Sequence, residues 1–215
     1  MLYHKLEPLF GRDRMHVPEI TCDAFDNLPM LAERGEPLPE NLMLLADHSP
    51  FGLFDEQVLT GGRPFRCTLL RHPIDRFESY FNFCARQHFI PEQWAKYVSN
   101  LPAMPALDFI ELCNHFVSES SYAYWFDPVG RNPEIALSNL IEYTIIARHD
   151  DLEGFCSKFN TSNPYGLSFH LDEIMHINKI PRLSWMTAQQ REIARDVFFN
   201  DFFIWHSLAV QRAMA

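Results

Sequence analysis

The stretch FRCTLLRHPIDRFESYFNFCARQ, residues Phe65 to Gln87, decides the fold. Its opening run, Phe65 to Leu70, is short, apolar and rich in branched and aromatic side chains, which predicts a buried strand. Pro73 has its φ fixed near the helical value and no amide hydrogen to lose, so it predicts a helix start just beyond a sharp turn. From there Ile74, Phe77, Tyr80, Phe81 and Cys84 recur at helical spacing and define one inward face. Asp75, Arg76 and Ser79 then lie nearer the carboxyl end of the strand, where open α/β sheets bind ligands.

An arginine at such a turn, followed by helix amides that have no partner within the helix, makes a site for phosphate or sulfate. Arg71 supplies the charge, and its planar fork can meet two oxygens of the anion. The Ser79 hydroxyl, about two turns into the helix, offers a third contact. The competing reading is an ordinary surface ion pair between Arg71 and Asp75.

The segment LLRHPIDRFESYFNF resembles the 3'-phosphate-binding motif of sulfotransferases that use 3'-phosphoadenylyl sulfate, the group of carbohydrate sulfotransferases and their bacterial relatives. That motif reads roughly R-[DH]-P-x-[DE]-R-x-x-S-x-[YF], and Arg71, Pro73, Asp75, Arg76 and Ser79 match it. The resemblance implies that Arg71 and Ser79 hold the 3'-phosphate of the nucleotide. Upstream, Leu42 to Ala46 predicts a second buried strand running into DHSPFGL, residues Asp47 to Leu53, which is similar to the family element G-H-x-P-[FY]-G-[LV]. A histidine at a strand end, held by a Pro and Gly turn, is placed as a general base, and the resemblance gives that role to His48. Asp47 stands where the family has glycine, so it either orients His48 or enters the acceptor pocket.

Further along, Leu107 to Glu119 and Glu134 to Ile141 predict helices, and Tyr143 to Ala147 a strand of mostly branched residues. The strand and the DDLEGFCSKF that follows resemble a late strand and helix of the family, with Arg148, His149 and Asp150 around its glutamate position. The loop His170 to Pro181 contains HINK, where Asn178 matches a family asparagine near nucleotide and acceptor. Thr187 and Gln190 form a capping box opening a long final helix, in which Asn200, Asp201 and Trp205 resemble the family's closing motif. The aromatic cluster Tyr122, Tyr124, Trp125 and Phe126 reads either as core or as a platform for a sugar ring.

The amino-terminal part carries less. Met1 to Phe10 predicts a short amphipathic helix ended by Gly11, Val17 to Ala24 a strand, and Leu28 to Arg34 a short helix. In the family a strand and a lysine-bearing phosphate loop precede a helix that reads much like LYHKLEPLFG, and this sequence starts at that helix. The first strand is therefore expected upstream of the given chain, or the chain is a degenerate member without it.

At 215 residues the chain predicts one domain, residues 1–215, able to bury roughly 70% of its unfolded surface. The formal charge of -10 speaks against nucleic acid and anionic lipid as partners, since both require clustered Lys and Arg. Five single cysteines, Cys22, Cys67, Cys84, Cys113 and Cys156, show neither zinc spacing nor a disulfide frame, and ten scattered histidines show no metal pattern. No run reaches the roughly 18 apolar residues of a membrane span, so a cytoplasmic protein is expected, with an anchor upstream of the chain left open.

The expectation is an α/β domain with a mostly parallel sheet flanked by helices, similar to the P-loop sulfotransferase fold with its first strand missing. The implied function is transfer of a sulfuryl group from 3'-phosphoadenylyl sulfate, as co-substrate and without a metal, to a hydroxyl of a carbohydrate-type acceptor. Enzymatic activity is expected where the phosphate loop stands upstream. The alternative is a non-catalytic sulfotransferase-fold binding or scaffold protein, and a phosphotransferase is a third reading that lacks a triphosphate signature.

Overall fold

The computed structural model describes residues 8, 15–16, 44–45, 65–86, 89–168, 170 and 185–214. The strand β1 (Met15–His16) pairs in parallel with β2 (Leu44–Leu45), so the expected strand around Leu42 to Ala46 is present in its central residues. The expected elements at 1–10, 17–24 and 28–34 lie outside the described residues, apart from Pro8.

A second parallel pair organises the rest. Strand β3 (Cys67–Leu70) leads through a two-residue turn into α1 (Pro73–Arg86), the predicted strand, turn and helix. Helices α2 (Glu92–Ala95), α3 (Ala106–Ser120), α4 (Tyr122–Phe126) and α5 (Pro133–Ile141) follow, with a 3-10 turn at Leu101–Ala103. Strand β4 (Ile145–Arg148) returns beside β3 with Cys67 opposite Ile145 and Leu70 opposite Arg148. Parallel strands cannot be joined by a hairpin, and the helices between them form the crossover. Helix α6 (Leu152–Ser162) leaves β4, and α7 (Ala188–Val197) and α8 (Phe199–Met214) close the described part. The described residues are thus helix-rich, with two separate two-stranded parallel sheets, the second of them between helices, an α/β arrangement at a coarse level.

The inward face of α1 builds the largest core. Ile74, Phe77 and Phe81 are buried with Trp94, Leu101, Phe109, Leu112, Phe116 and Phe198. The Phe77 ring meets those of Phe109, Phe116 and Phe198 with centroids 5.9, 5.3 and 5.3 Å away. Each buried ring contributes about 1.5 to 3 kcal/mol, so this cluster holds α1 against α3 and α7. A second cluster joins Leu70 of β3 to Tyr122, Phe126, Leu140, Ile204 and Trp205, and so settles the aromatic segment at 122–126 mainly into the core. A third packs Ile145 and Ala147 of β4 on Phe155 and Phe159 of α6.

Local chemistry sets the helix boundaries. Asn132 Oδ1 accepts from the amides of Glu134 and Ile135, with Pro133 at the first helical position. Asp151 caps α6 by accepting from the Gly154 amide at 3.1 Å. The predicted capping box is present: the Gln190 amide donates to Thr187 Oγ1 at 3.1 Å and the Thr187 amide to Gln190 Oε1 at 3.0 Å. Gln190 Nε2 also donates to the Leu101 carbonyl, so the cap ties α7 to the 3-10 turn.

The long final helix expected after Thr187 is two helices. They break at Phe198, whose backbone leaves the helical region (φ -90°, ψ 22°) while its ring is fully buried against Phe77 and Phe116. The apolar spacing carries on across this point, so periodicity alone reads one helix. Among the described residues no helix is long and apolar enough to cross a membrane.

Candidate functional site

The pairing of β3 with β4 creates the site. Since Leu70 stands opposite Arg148, Arg71 and His149 are the first residues beyond the carboxyl ends of two adjacent strands. A hydrogen bond from the His149 amide to the Leu70 carbonyl, 2.6 Å, carries the ladder one step further. Together with His72, Asp75, Asp150 and Trp205, these two residues line an open cleft of about 260 Å³. That position, outside the carboxyl ends of parallel strands, is where open α/β sheets place their ligands. A separate hollow between α1 and α3, beside Phe77 and Leu112, has room for about 10 Å³ and is a packing gap.

Arg71 Nη2 lies 3.4 Å from His149 Nε2, and no ion pair joins Arg71 to Asp75 among the described residues. The surface-pair reading of Arg71 is therefore not what the geometry shows. Its backbone is held on both sides by one side chain: the Arg71 amide donates to the Tyr122 hydroxyl at 2.8 Å, and that hydroxyl donates to the Arg71 carbonyl. Burial pushes the Tyr122 phenol well above its ordinary range, so it stays protonated as both donor and acceptor.

Behind Tyr122 stands a buried polar group. Asp201 of α8 is 1% exposed and accepts from the Tyr122 amide at 2.7 Å. It also faces Arg76 Nη1 at 3.4 Å, while Arg76 Nη2 donates to Ser120 Oγ at 3.3 Å. The Arg76 guanidinium lies over the Tyr122 ring, 4.4 Å from its centroid. Desolvation pushes the Asp201 carboxyl up to about 6 and outweighs the opposing pull of Arg76 and of backbone amides. This network pins α1, α4 and α8 to one another directly behind the Arg71 turn.

Both imidazoles of the cleft are biased toward the neutral form. Burial lowers the His72 pKa, reinforced by His206, Arg148 and Arg195 and opposed by Asp75. His72 packs edge-on against Phe202 and Trp205, with centroids 5.3 and 5.9 Å away. Burial, followed by the positive charge of Arg71, lowers the His149 pKa, while Asp150 and Asp75 oppose. Arg148 is turned aside: it pairs with Asp150, its Nε 3.0 Å from Oδ1, and covers the Trp205 ring at 4.2 Å.

At the amino end of α1, the Arg76 amide bonds to the His72 carbonyl and Pro73 has no amide hydrogen. Helix geometry leaves the Ile74 and Asp75 amides without helical partners next to the cleft. The acidic residue in this first turn, Asp75, lines the same space and restricts how much negative charge it accepts beside Arg71.

Of the residues singled out from sequence, Arg71 is in the cleft. Ser79 is half-buried further along α1 and is not among the cleft-lining side chains. His48, Asp47 and Asn178 lie outside the described residues. His149, Tyr122 and the Arg76–Asp201 pair were not foreseen as parts of one site. The cue for His149 was its place directly after the branched run of β4, the counterpart of Arg71 after β3. Among the described residues no group of three His, Cys, Asp or Glu side chains is placed to hold a metal ion. The described cysteines Cys67, Cys84, Cys113 and Cys156 form no disulfide with one another, and burial pushes the Cys67 thiol up to about 11.

Comparison of the chain with family models, with curated proteins and with solved structures finds no match.

Proposed function

We propose that the cleft binds the 3'-phosphate of 3'-phosphoadenylyl sulfate and that the protein is a sulfotransferase of P-loop-like fold, acting on a hydroxyl of a carbohydrate-type acceptor. The observation that carries this reading is Arg71 at the carboxyl end of β3, opening on a cleft at the start of α1, within a segment that keeps the R-H-P-x-D-R-x-x-S pattern. The guanidinium fork and the first helix amides suit a phosphate monoester. At about 260 Å³ the space is smaller than the 300 to 1,000 Å³ common for whole small-molecule ligands, so it suits the phosphate-bearing end of a nucleotide.

In this reading Arg71 anchors the 3'-phosphate and Ser79 adds a hydroxyl contact after a local shift of α1 or of the nucleotide. His48 takes the acceptor's proton as its oxygen attacks sulfur in line, and Asn178 and Asp47 belong to the acceptor side. The nucleotide leaves as 3'-phosphoadenosine 5'-phosphate, and no metal takes part. Calorimetry tests the binding half. The chain should bind 3'-phosphoadenosine 5'-phosphate in preference to adenosine 5'-phosphate, and Arg71→Ala should remove about 1.5 to 3 kcal/mol of that binding, the worth of a hydrogen bond to a charged group. Equal affinity for the two nucleotides, or an unaffected mutant, would refute the assignment.

A further inference from the structure

Arg71 and His149 each stand one residue beyond a different strand of the pair. Arg71 Nη2 and His149 Nε2 are 3.4 Å apart, both at the carboxyl end of the parallel pair and both lining the same open space. With a neutral ring, Nε2 accepts from the guanidinium, and this contact occupies one arm of the fork that an oxyanion needs. A protonated ring has no lone pair to offer and adds a positive charge beside the first. Two adjacent cations with donors turned to one cleft are satisfied together by a tetrahedral oxyanion placed between them.

We propose that His149 is a second anion-binding group, which joins Arg71 as imidazolium when an oxyanion enters the cleft, so that binding takes up a proton and strengthens as pH falls. The proposal deepens the nucleotide reading by adding a ligand residue and a pH dependence to the same cleft, and rests on that reading only for the identity of the anion. The other charged and titratable groups facing this space are His72 from the turn, Asp75 from α1 and Asp150 beyond β4. Arg148 on β4 is paired with Asp150, and α8 contributes Trp205 to the lining, with His206 acting on His72. Asp75 and Asp150 favour the protonated ring, whereas Arg71 and burial keep it neutral until an anion offsets them. His72 is a less suitable partner for the proton, since its ring is packed between Phe202 and Trp205.

Sulfate is the probe, because its charge is constant over the range studied while the charge of a phosphate monoester changes near pH 6. Calorimetry of sulfate binding from pH 8 to pH 6, in buffers of different ionisation enthalpy, should show affinity rising by up to tenfold per pH unit, with proton uptake greatest between the His149 pKa of the free chain and that of the complex. In His149→Gln both the slope and the proton uptake should largely vanish. In the unmutated chain, the His149 resonances in an imidazole-selective NMR titration should move to higher pKa on adding sulfate, which reads the effect without any substitution. Absence of sulfate binding, an unchanged His149 titration, or an equal slope in His149→Gln overturns the proposal.

Running 3'-phosphoadenosine 5'-phosphate and adenosine 5'-phosphate in the same series separates the two ideas. A preferred 3'-phosphate that depends on Arg71 but not on His149 or pH upholds the nucleotide reading and sinks this one. Sulfate binding that follows His149 protonation, with no preference between the nucleotides, does the reverse.

Discussion

The Tyr122 hydroxyl grips the backbone of Arg71 from both sides, accepting from its amide at 2.8 Å and donating to its carbonyl, although 51 residues separate them. A turn between a strand and a helix normally leaves such groups to water. Here one phenol satisfies both and fixes the direction from which the Arg71 side chain leaves the chain. The phenol is itself located by Asp201, which accepts from the Tyr122 amide, and by Arg76 stacked on its ring.

Tyr122→Phe removes the grip while keeping the ring in its cluster. Each lost hydrogen bond costs about 0.5 to 1.5 kcal/mol, and a buried group left without a partner costs more, so unfolding stability in urea should fall by roughly 1 to 3 kcal/mol. Anion affinity should also fall, as Arg71 loses its fixed origin. Unchanged stability and affinity would show that the turn is held by something else.

Asp201 makes stability depend on pH in a defined direction. Its folded pKa, about 6, is above the ordinary 3.8, so the folded state holds its proton longer than the unfolded chain does. Its contribution is fully present below about pH 4 and is lost as pH rises through 6. Comparing the native chain with Asp201→Asn removes the effect of all other groups. The stability difference should shift by about 2 kcal/mol between pH 4 and pH 7, at roughly 1.4 kcal/mol per pKa unit, with the native chain gaining toward acid. A difference that stays flat, or that favours the native chain toward neutral pH, would contradict the account.

Gly154 and Asp151 test the cap of α6. An added Cβ at Gly154 would meet the Asp151 carboxylate at 2.5 Å and push it off the amide it caps. Asp151→Ala should cost about 1 kcal/mol, the usual worth of an N-cap. Gly154→Ala loses the same cap but gains up to about 1 kcal/mol of helix propensity, so thermal unfolding should show it close to neutral.

His48 is addressed by kinetics, in protein shown to transfer sulfuryl groups. His48→Ala should lower turnover by roughly 10² to 10⁴ with nucleotide affinity nearly unchanged, the pattern of a lost general base. A variant that keeps its turnover would reduce the histidine to a turn residue.

Much of this arrangement was legible from local pattern. The strand and helix around Arg71 follow from an apolar run, a proline and a helical repeat, and α3, α5 and the Thr187 cap from equally local cues. The split at Phe198 was not, because its cause is the place of one ring in a core shared with α1 and α3. The site was legible only by halves. Arg71 announced itself, but its neighbour His149 depends on the register between strands whose paired residues are 78 apart in sequence, which nothing local encodes. Tyr122 was read as a ring, for core or for stacking, and its hydroxyl acquired a role only once α4 was laid against the turn. Arg76 and Asp201 each matched a motif, yet their pairing spans 125 residues and is a matter of packing.

The most direct test is a crystal structure of the chain with 3'-phosphoadenosine 5'-phosphate. The account predicts the 3'-phosphate in the cleft between Arg71 and His149, with its oxygens about 2.7 to 3.2 Å from the Arg71 guanidinium and from the first amides of α1. A nucleotide bound elsewhere, or bound here with its 3'-phosphate turned away from Arg71, would contradict it.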